Sequence, residues 1–179
     1  MMPRLFHSVP VLFGSVLLLS GCNGPRLVPC PAAAILSDTA TRPVLKPDST
    51  GTDPSALLYT MEVTAISQTC SLNIRDGEST SNIRMSFRAM RAPSGQAARY
   101  VVPYFVAVNQ AERIINKRVY NATVDFAPGV ASVVFETQLT NTVLRFENGR
   151  LPTDYQYLAG LEVSEVERSY LAAMGRVAP

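Results

Sequence analysis

The sequence predicts a mainly β protein, an antiparallel β-sandwich with one short C-terminal helix. Three observations carry this. From Ser55 onward, apolar residues recur at every second position, the period of a half-buried strand. Turn-forming clusters separate these runs: Asp76-Gly77-Glu78-Ser79, Ala92-Pro93-Ser94-Gly95, Pro128-Gly129 and Glu147-Asn148-Gly149. A helical period shows only after Ser164. Seven or eight short strands at such spacing are the pattern of two packed sheets.

The chain opens with one strong charge, Arg4, then a nearly continuous apolar run from Val9 to Leu19. That run is too short to span a bilayer as a helix, so removal is expected rather than retention. Leu19-Ser20-Gly21-Cys22 closes it: a long apolar residue, two small residues, then Cys. These four residues resemble the lipobox of bacterial lipoproteins. The resemblance implies cleavage between Gly21 and Cys22, with a thioether-linked lipid on Cys22. A thiolate is the nucleophile such a bond requires. One acyl chain gives only reversible attachment, and the several chains of a lipoprotein hold firmly. Residues 1–21 are thus read as a signal peptide.

Residues 22–54 read as a lipidated, Pro-rich tether. Pro25, Pro29, Pro31, Pro43, Pro47 and Pro54 break helix and central strand. Within it, Cys30 to Leu36 is apolar and would be pinned as an edge strand if Cys30 bonds Cys70. Residues 55–179 are read as the sandwich domain.

The strands follow in order. Leu57, Tyr59, Met61, Val63 and Ala65 share one parity, opposite Thr60, Glu62 and Thr64. A bend is expected at Gln68-Thr69, before Cys70, Leu72 and Ile74. Ile83, Met85, Phe87 and Ala89 face inward, with Arg84, Ser86 and Arg88 outside. Tyr100 to Val108 is apolar on both parities, as in a strand covered on both faces, and Pro103 suggests a bulge or edge there. Ala111-Glu112-Arg113 is a tip before Ile114 to Phe126. Ala131, Val133, Phe135 and Leu139 face inward on the next strand, and Val143 to Phe146 is a short one. Tyr155, Tyr157, Ala159, Leu161 and Val163 share the last inward face.

Ser164 and Glu167 form a capping box, and Val166, Tyr170, Ala173 and Met174 lie on one helical face. Gly175 and Pro179 end the helix. The Leu151-Pro152 lead into Tyr155 or Tyr157 resembles the tyrosine corner of immunoglobulin-like and fibronectin III-like domains. It leaves open which tyrosine is the corner.

Over most of its length the chain also resembles small uncharacterised lipoproteins of alphaproteobacteria. The likeness lies in the lipobox, the Cys30-Pro31 patch ending at Ile35-Leu36, the Pro103 to Val108 strand, and the Val163-Ser164 helix start with Tyr170. It implies an envelope lipoprotein and no particular activity.

Composition narrows the function. Removing the first 21 of 179 residues takes Lys+Arg from 16 to 15 against 14 Asp+Glu. A near-neutral chain gives no reason to expect nucleic acid as a partner. The single His, His7, leaves with the signal, so Ser-His-Asp, Cys-His and His-metal arrangements are excluded from the mature chain. No zinc, calcium or phosphate motif is present, and no metal or cofactor is expected beyond the lipid. Cys30 and Cys70 are an even pair in an exported context, and a disulfide between them is expected, with two buried free thiols as the alternative. Closing that loop would contribute on the order of 4 kcal/mol.

Candidate binding residues come from one stretch. Arg84, Arg88, Arg91, Arg99, Arg113, Lys117 and Arg118 face only Glu112 in sequence. Arg84 and Arg88 with Tyr100 and Tyr104 are the candidate binding face, for an anionic headgroup, a glycan or an acidic partner. A solvated strand face and core tyrosines are the competing explanation. Asp125 and Glu136 are the one carboxylate pair that could meet, across a Pro128-Gly129 hairpin. No catalytic residue is assigned.

The expectation is therefore a non-enzymatic, lipid-anchored envelope protein with a structural or adaptor role and an envelope protein as partner. The alternative is an anchored glycan- or peptidoglycan-binding module, and a periplasmic hydrolase ranks last. Asn23 follows Cys22; in lipoproteins resembling enteric ones an Asp there favours inner-membrane retention, so the resemblance implies the periplasmic face of the outer membrane rather than the inner membrane.

Overall fold

The computed structural model describes residues 29–93, 95–147 and 149–175. The signal peptide, the Gly21–Cys22 cleavage site and Pro179 lie outside them. Eight strands run in order: β1 (Ala32–Ile35), β2 (Thr41–Leu45), β3 (Leu57–Asn73), β4 (Glu78–Met90), β5 (Ala98–Gln110), β6 (Arg113–Phe126), β7 (Ser132–Arg145) and β8 (Tyr155–Leu161). One helix, α1 (Glu165–Ala173), follows. The strands form two sheets, ordered β1-β8-β5-β6 and β2-β3-β4-β7. Every pairing is antiparallel except β1 with β8, which is parallel. The protein is a β-sandwich.

Its core is the inward parity of both sheets. Tyr59, Met61 and Val63 on β3 and Ile83, Met85 and Phe87 on β4 meet Val102 and Tyr104 on β5. Val124 and Phe126 on β6 and Tyr155, Tyr157 and Leu161 on β8 complete it. Phe87 lies edge-on to Tyr104 with ring centroids 5.3 Å apart, joining the two layers.

The order β3-β4-β7 facing β8-β5-β6 is that of strands A-B-E facing F-C-C′ in an immunoglobulin-like sandwich. Among the described residues no strand takes the D position beyond β7. The G position beside β8 is filled by β1, from the other end of the chain. Cys30, just ahead of β1, is bonded to Cys70 on β3, so the expected disulfide ties this strand to the opposite sheet.

Three local readings change. The folded domain takes in Ala32–Leu45, ahead of the expected boundary at Ser55. Pro43 fits because β2 is an edge strand, where a missing N–H costs little. β3 does not bend at Gln68-Thr69 but bulges at Thr64, between Val63 and Ala65, so that Ala65 turns outward and Ile66 inward. Val143–Phe146 is not a separate strand, since β7 runs unbroken to Arg145.

Pro103 lies in β5, a central strand, rather than at a bulge or sheet edge. Its carbonyl accepts from the Glu162 N–H at 3.1 Å, just past the end of β8, so the ladder with β8 closes there.

The capping box of α1 forms, with Ser164 Oγ accepting from the Glu167 N–H and Glu167 Oε2 from the Ser164 N–H. The buried face is Glu167, Tyr170 and Leu171, while Val166 and Met174 stay 42 % and 37 % exposed. Glu167 also accepts from Arg42 Nε at 2.8 Å, which docks α1 on β2.

Candidate functional site

The predicted basic stretch disperses over the molecule. Arg84 and Arg88 stand on the outer face of β4, where Arg88 pairs with Glu62 at 2.6 Å and Arg84 approaches Glu136 at 3.8 Å. Arg99 pairs with Asp125 on the outer face of the other sheet. Lys117 pairs with Glu162 at 2.6 Å and sits over the Phe105 ring. Arg91 is a clamp: its guanidinium donates to the carbonyls of Val130, Gln96, Gly95 and Ala127 and stacks on Phe126. It joins the 91–97 and 127–131 loops.

The four residues of the candidate binding face are not one face. Tyr104 is 3 % exposed and belongs to the core, stacked on Tyr120 and edge-on to Phe87. Burial raises its phenol above the ordinary value. Tyr100 is half-buried against Tyr59 and Phe126, in the sheet opposite Arg84 and Arg88. The reason is register: Tyr100 and Tyr104 share the inward parity of β5, while Arg84 and Arg88 share the outward parity of β4.

Asp125 and Glu136 do not meet either. β6 and β7 belong to different sheets, so Pro128-Gly129 turns the chain between layers and not within a hairpin. Asp125 is held by Arg99, and Glu136 accepts from Ser86 Oγ at 3.0 Å. Among the described residues there is no group of three or more His, Cys, Asp or Glu placed to hold a metal.

A site that sequence reasoning missed lies where β6 and β7 diverge. These are the outer strands on one side of the sandwich, and between them opens a cleft of about 580 Å³. Such a volume suits a small organic ligand or a segment of a larger one. Its floor is Val106, Val108 and Tyr157. Asn116, Arg118 and Tyr120 line the β6 wall; Gln138, Thr140, Asn141 and Thr142 line the β7 wall.

Two bulges make the cleft. On β6, Ile115 is an extra residue between the Asn116–Val108 and Ile114–Asn109 pairs. On β7, Thr140 and Asn141 stand opposite Asn82 alone, between the Thr142–Ser81 and Leu139–Ile83 pairs. Asn141 takes a left-handed φ of 53°, and its N–H is held by Asn82 Oδ1 at 3.1 Å. An Asn tolerates that backbone better than most residues. Both bulges sit at one level of the sandwich, because Tyr157 pairs with Val108 and its hydroxyl reaches Ser81 Oγ at 3.3 Å across the layers. Bulges re-aim side chains, and here they present consecutive residues 140–142 to one cleft.

Leu139 and Val143 add apolar patches to the β7 wall, and the polar groups of the walls are amides and hydroxyls with one guanidinium and no carboxylate. Arg118 has no carboxylate within ion-pair distance among the described residues. The cleft is therefore built to hydrogen-bond a polar ligand that is neutral or negative. The signal in the sequence was a break in alternation: Leu139 and Leu144 both face inward although they are five residues apart, which requires an extra residue in the Thr140-Asn141-Thr142 run between them.

Comparison with family models, with curated proteins and with solved structures finds no match to this chain.

Proposed function

We propose that the protein is a non-catalytic component of the bacterial cell envelope, anchored through a lipid on Cys22, that holds another envelope component in the cleft between β6 and β7. One observation carries the binding role: the cleft lies between two 14-residue strands, each with one edge unpaired in its sheet. An extended segment of a partner can add to such an edge by main-chain hydrogen bonds, while the cleft takes its side chains. The anchor rests on Leu19 to Cys22, and the Cys30–Cys70 disulfide fits an oxidising, exported setting. An anchored protein meets partners on the same surface at raised effective concentration.

A second reading has its own support. Walls of Asn, Gln and Thr beside Tyr120 suit a glycan, whose vicinal hydroxyls pair with amides and whose ring faces pack on aromatics. On this reading the cleft takes the place of the Arg84, Arg88, Tyr100 and Tyr104 face.

The test is site-specific photo-cross-linking in intact cells, with the cross-linker at Asn116 in the cleft and at Arg84 on the outer face of β4. One abundant protein adduct from position 116 and none from position 84 is the expected result. A muropeptide adduct from position 116 selects the glycan reading. Equal adducts from both positions refute the cleft. Cys22→Ser is expected to release the chain from the membrane fraction and weaken the position-116 adduct.

A further inference from the structure

The described chain begins at one end of the sandwich, and three loops crowd that end. Cys30 is bonded to Cys70 there, and Ala32 lies beside Gln156 at the start of β8. The β3–β4 turn, the β5–β6 turn and the stretch from Phe146 to Asp154 close the same end. They are tied together. The Phe146 N–H donates to the Gly77 carbonyl at 2.7 Å, and Gln110 Nε2 donates to Glu147 Oε2 at 3.0 Å.

Each loop carries an exposed aliphatic residue next to an arginine: Ile74-Arg75, Arg113-Ile114 and Arg150-Leu151. Ile74, Ile114 and Leu151 are 58 %, 49 % and 62 % exposed. None of the three arginines has a carboxylate within ion-pair distance among the described residues. The carboxylates at this end have other partners: Asp76 accepts from Asn73, Asp154 from the Leu151 N–H and Glu147 from Gln110, and Glu78 pairs with Arg145. These contacts and Glu112 leave the end as a whole without a positive excess, and the three guanidiniums act as separate phosphate donors.

An aliphatic tip beside a free guanidinium fits one environment well. At a bilayer interface the aliphatic group enters the acyl boundary while the guanidinium stays with the phosphates. The tether decides which surface this end meets. From Cys22 to Cys30 is eight residues, at most about 28 Å of extended chain. The 13 residues of β4 span roughly 43 Å. A lipid on Cys22 therefore keeps the Cys30 end within that reach of the membrane, and the sandwich cannot stand on its opposite end.

We propose that the tips at Ile74, Ile114 and Leu151 form a docking face for a phospholipid surface, with Arg75, Arg113 and Arg150 on the headgroup phosphates. This rests on the Cys22 anchor proposed above. Docking stands the strands upright on the bilayer and turns the sandwich from a tethered ball into an oriented one.

The chain contains no Trp, so a single introduced Trp is a clean reporter. Ile74→Trp, Ile114→Trp and Leu151→Trp are made one at a time, with Val134→Trp on an outer sheet face as the control. Each full chain is purified from membranes and reconstituted in vesicles of phosphatidylcholine and phosphatidylglycerol with brominated acyl chains. The expected result is a blue shift and bromine quenching at all three tips and none at Val134. Absence of quenching at any tip, or equal quenching at Val134, overturns the docking face. Tips shielded in native membranes but not in lipid vesicles overturn it in favour of a protein contact. Mass spectrometry of Cys22 separates the two proposals. If Cys22 carries no lipid, the same chains are held on nickel-chelating lipid by an N-terminal histidine tag, and tip quenching then supports docking while the anchor falls.

Discussion

The hydroxyl of Tyr155 accepts a hydrogen bond from the backbone N–H of Glu147 at 2.8 Å, eight residues upstream. Gln110 Nε2 donates to the same oxygen at 3.2 Å. Tyr155 stands at the start of β8, the F position of the sandwich, after the chain has crossed from the other sheet. This is the tyrosine corner, and it resolves the choice between Tyr155 and Tyr157. Tyr155→Phe is expected to cost about 1–2 kcal/mol, since it strands the Glu147 N–H and removes one of the two acceptors of the Gln110 amide. Urea unfolding measures it, and a loss as small as that of an exposed Tyr→Phe change would refute the role.

Arg91 holds two loops by four carbonyls and one ring. Arg91→Ala is expected to destabilise the protein by about 2–3 kcal/mol, through unsatisfied carbonyls and lost packing on Phe126. Arg91→Lys should recover little, because an ammonium cannot reproduce the planar fork. Thermal unfolding of the two variants side by side checks this, and full rescue by Lys would contradict it.

The β5–β6 turn is strained. Ala111 and Glu112 both take positive φ, 47° and 66°, between the paired residues Gln110 and Arg113. That is the two-residue turn for which Asn-Gly is the favoured sequence. Replacing Ala111-Glu112 by Asn-Gly is expected to stabilise the protein by about 1–2 kcal/mol. A thermal midpoint that does not rise would count against the turn geometry.

Alkaline stability follows from Tyr59. Burial pushes its phenol from 10.0 up to about 12. Below the lower value both folded and unfolded chains keep the proton, and nothing is lost. Above it the unfolded chain gives up its proton first, so stability falls as pH rises, until the folded phenol also ionises near 12. Urea midpoints followed through that window should decline, and Tyr59→Phe should flatten the decline. A variant that declines as steeply as the parent would place the loss elsewhere. Tyr104, also raised by burial, adds in the same direction.

What the sequence disclosed depended on how locally each feature is determined. The inward parities of β4 and β8 were legible, because alternation is a property of one strand. The capping box at Ser164 and Glu167 was legible for the same reason. The Thr64 bulge was not, since a bulge exists only against its partner strand. Pro43 read as tether because proline in an edge strand and proline in a linker look alike. The cleft was hidden most deeply: its walls come from strands in different sheets, and Pro128-Gly129 looks the same whether it joins two strands in one layer or carries the chain to the other.

The parallel pairing of β1 with β8 joins residues near the two ends of the chain, Ala32 beside Gln156. Among the described strands the earliest in the chain is thus completed by the last. The β2-β3-β4-β7 sheet has all its residues by Arg145, while β1-β8-β5-β6 waits for Leu161, so a chain cut short of β8 keeps one whole sheet and leaves the other in two pieces.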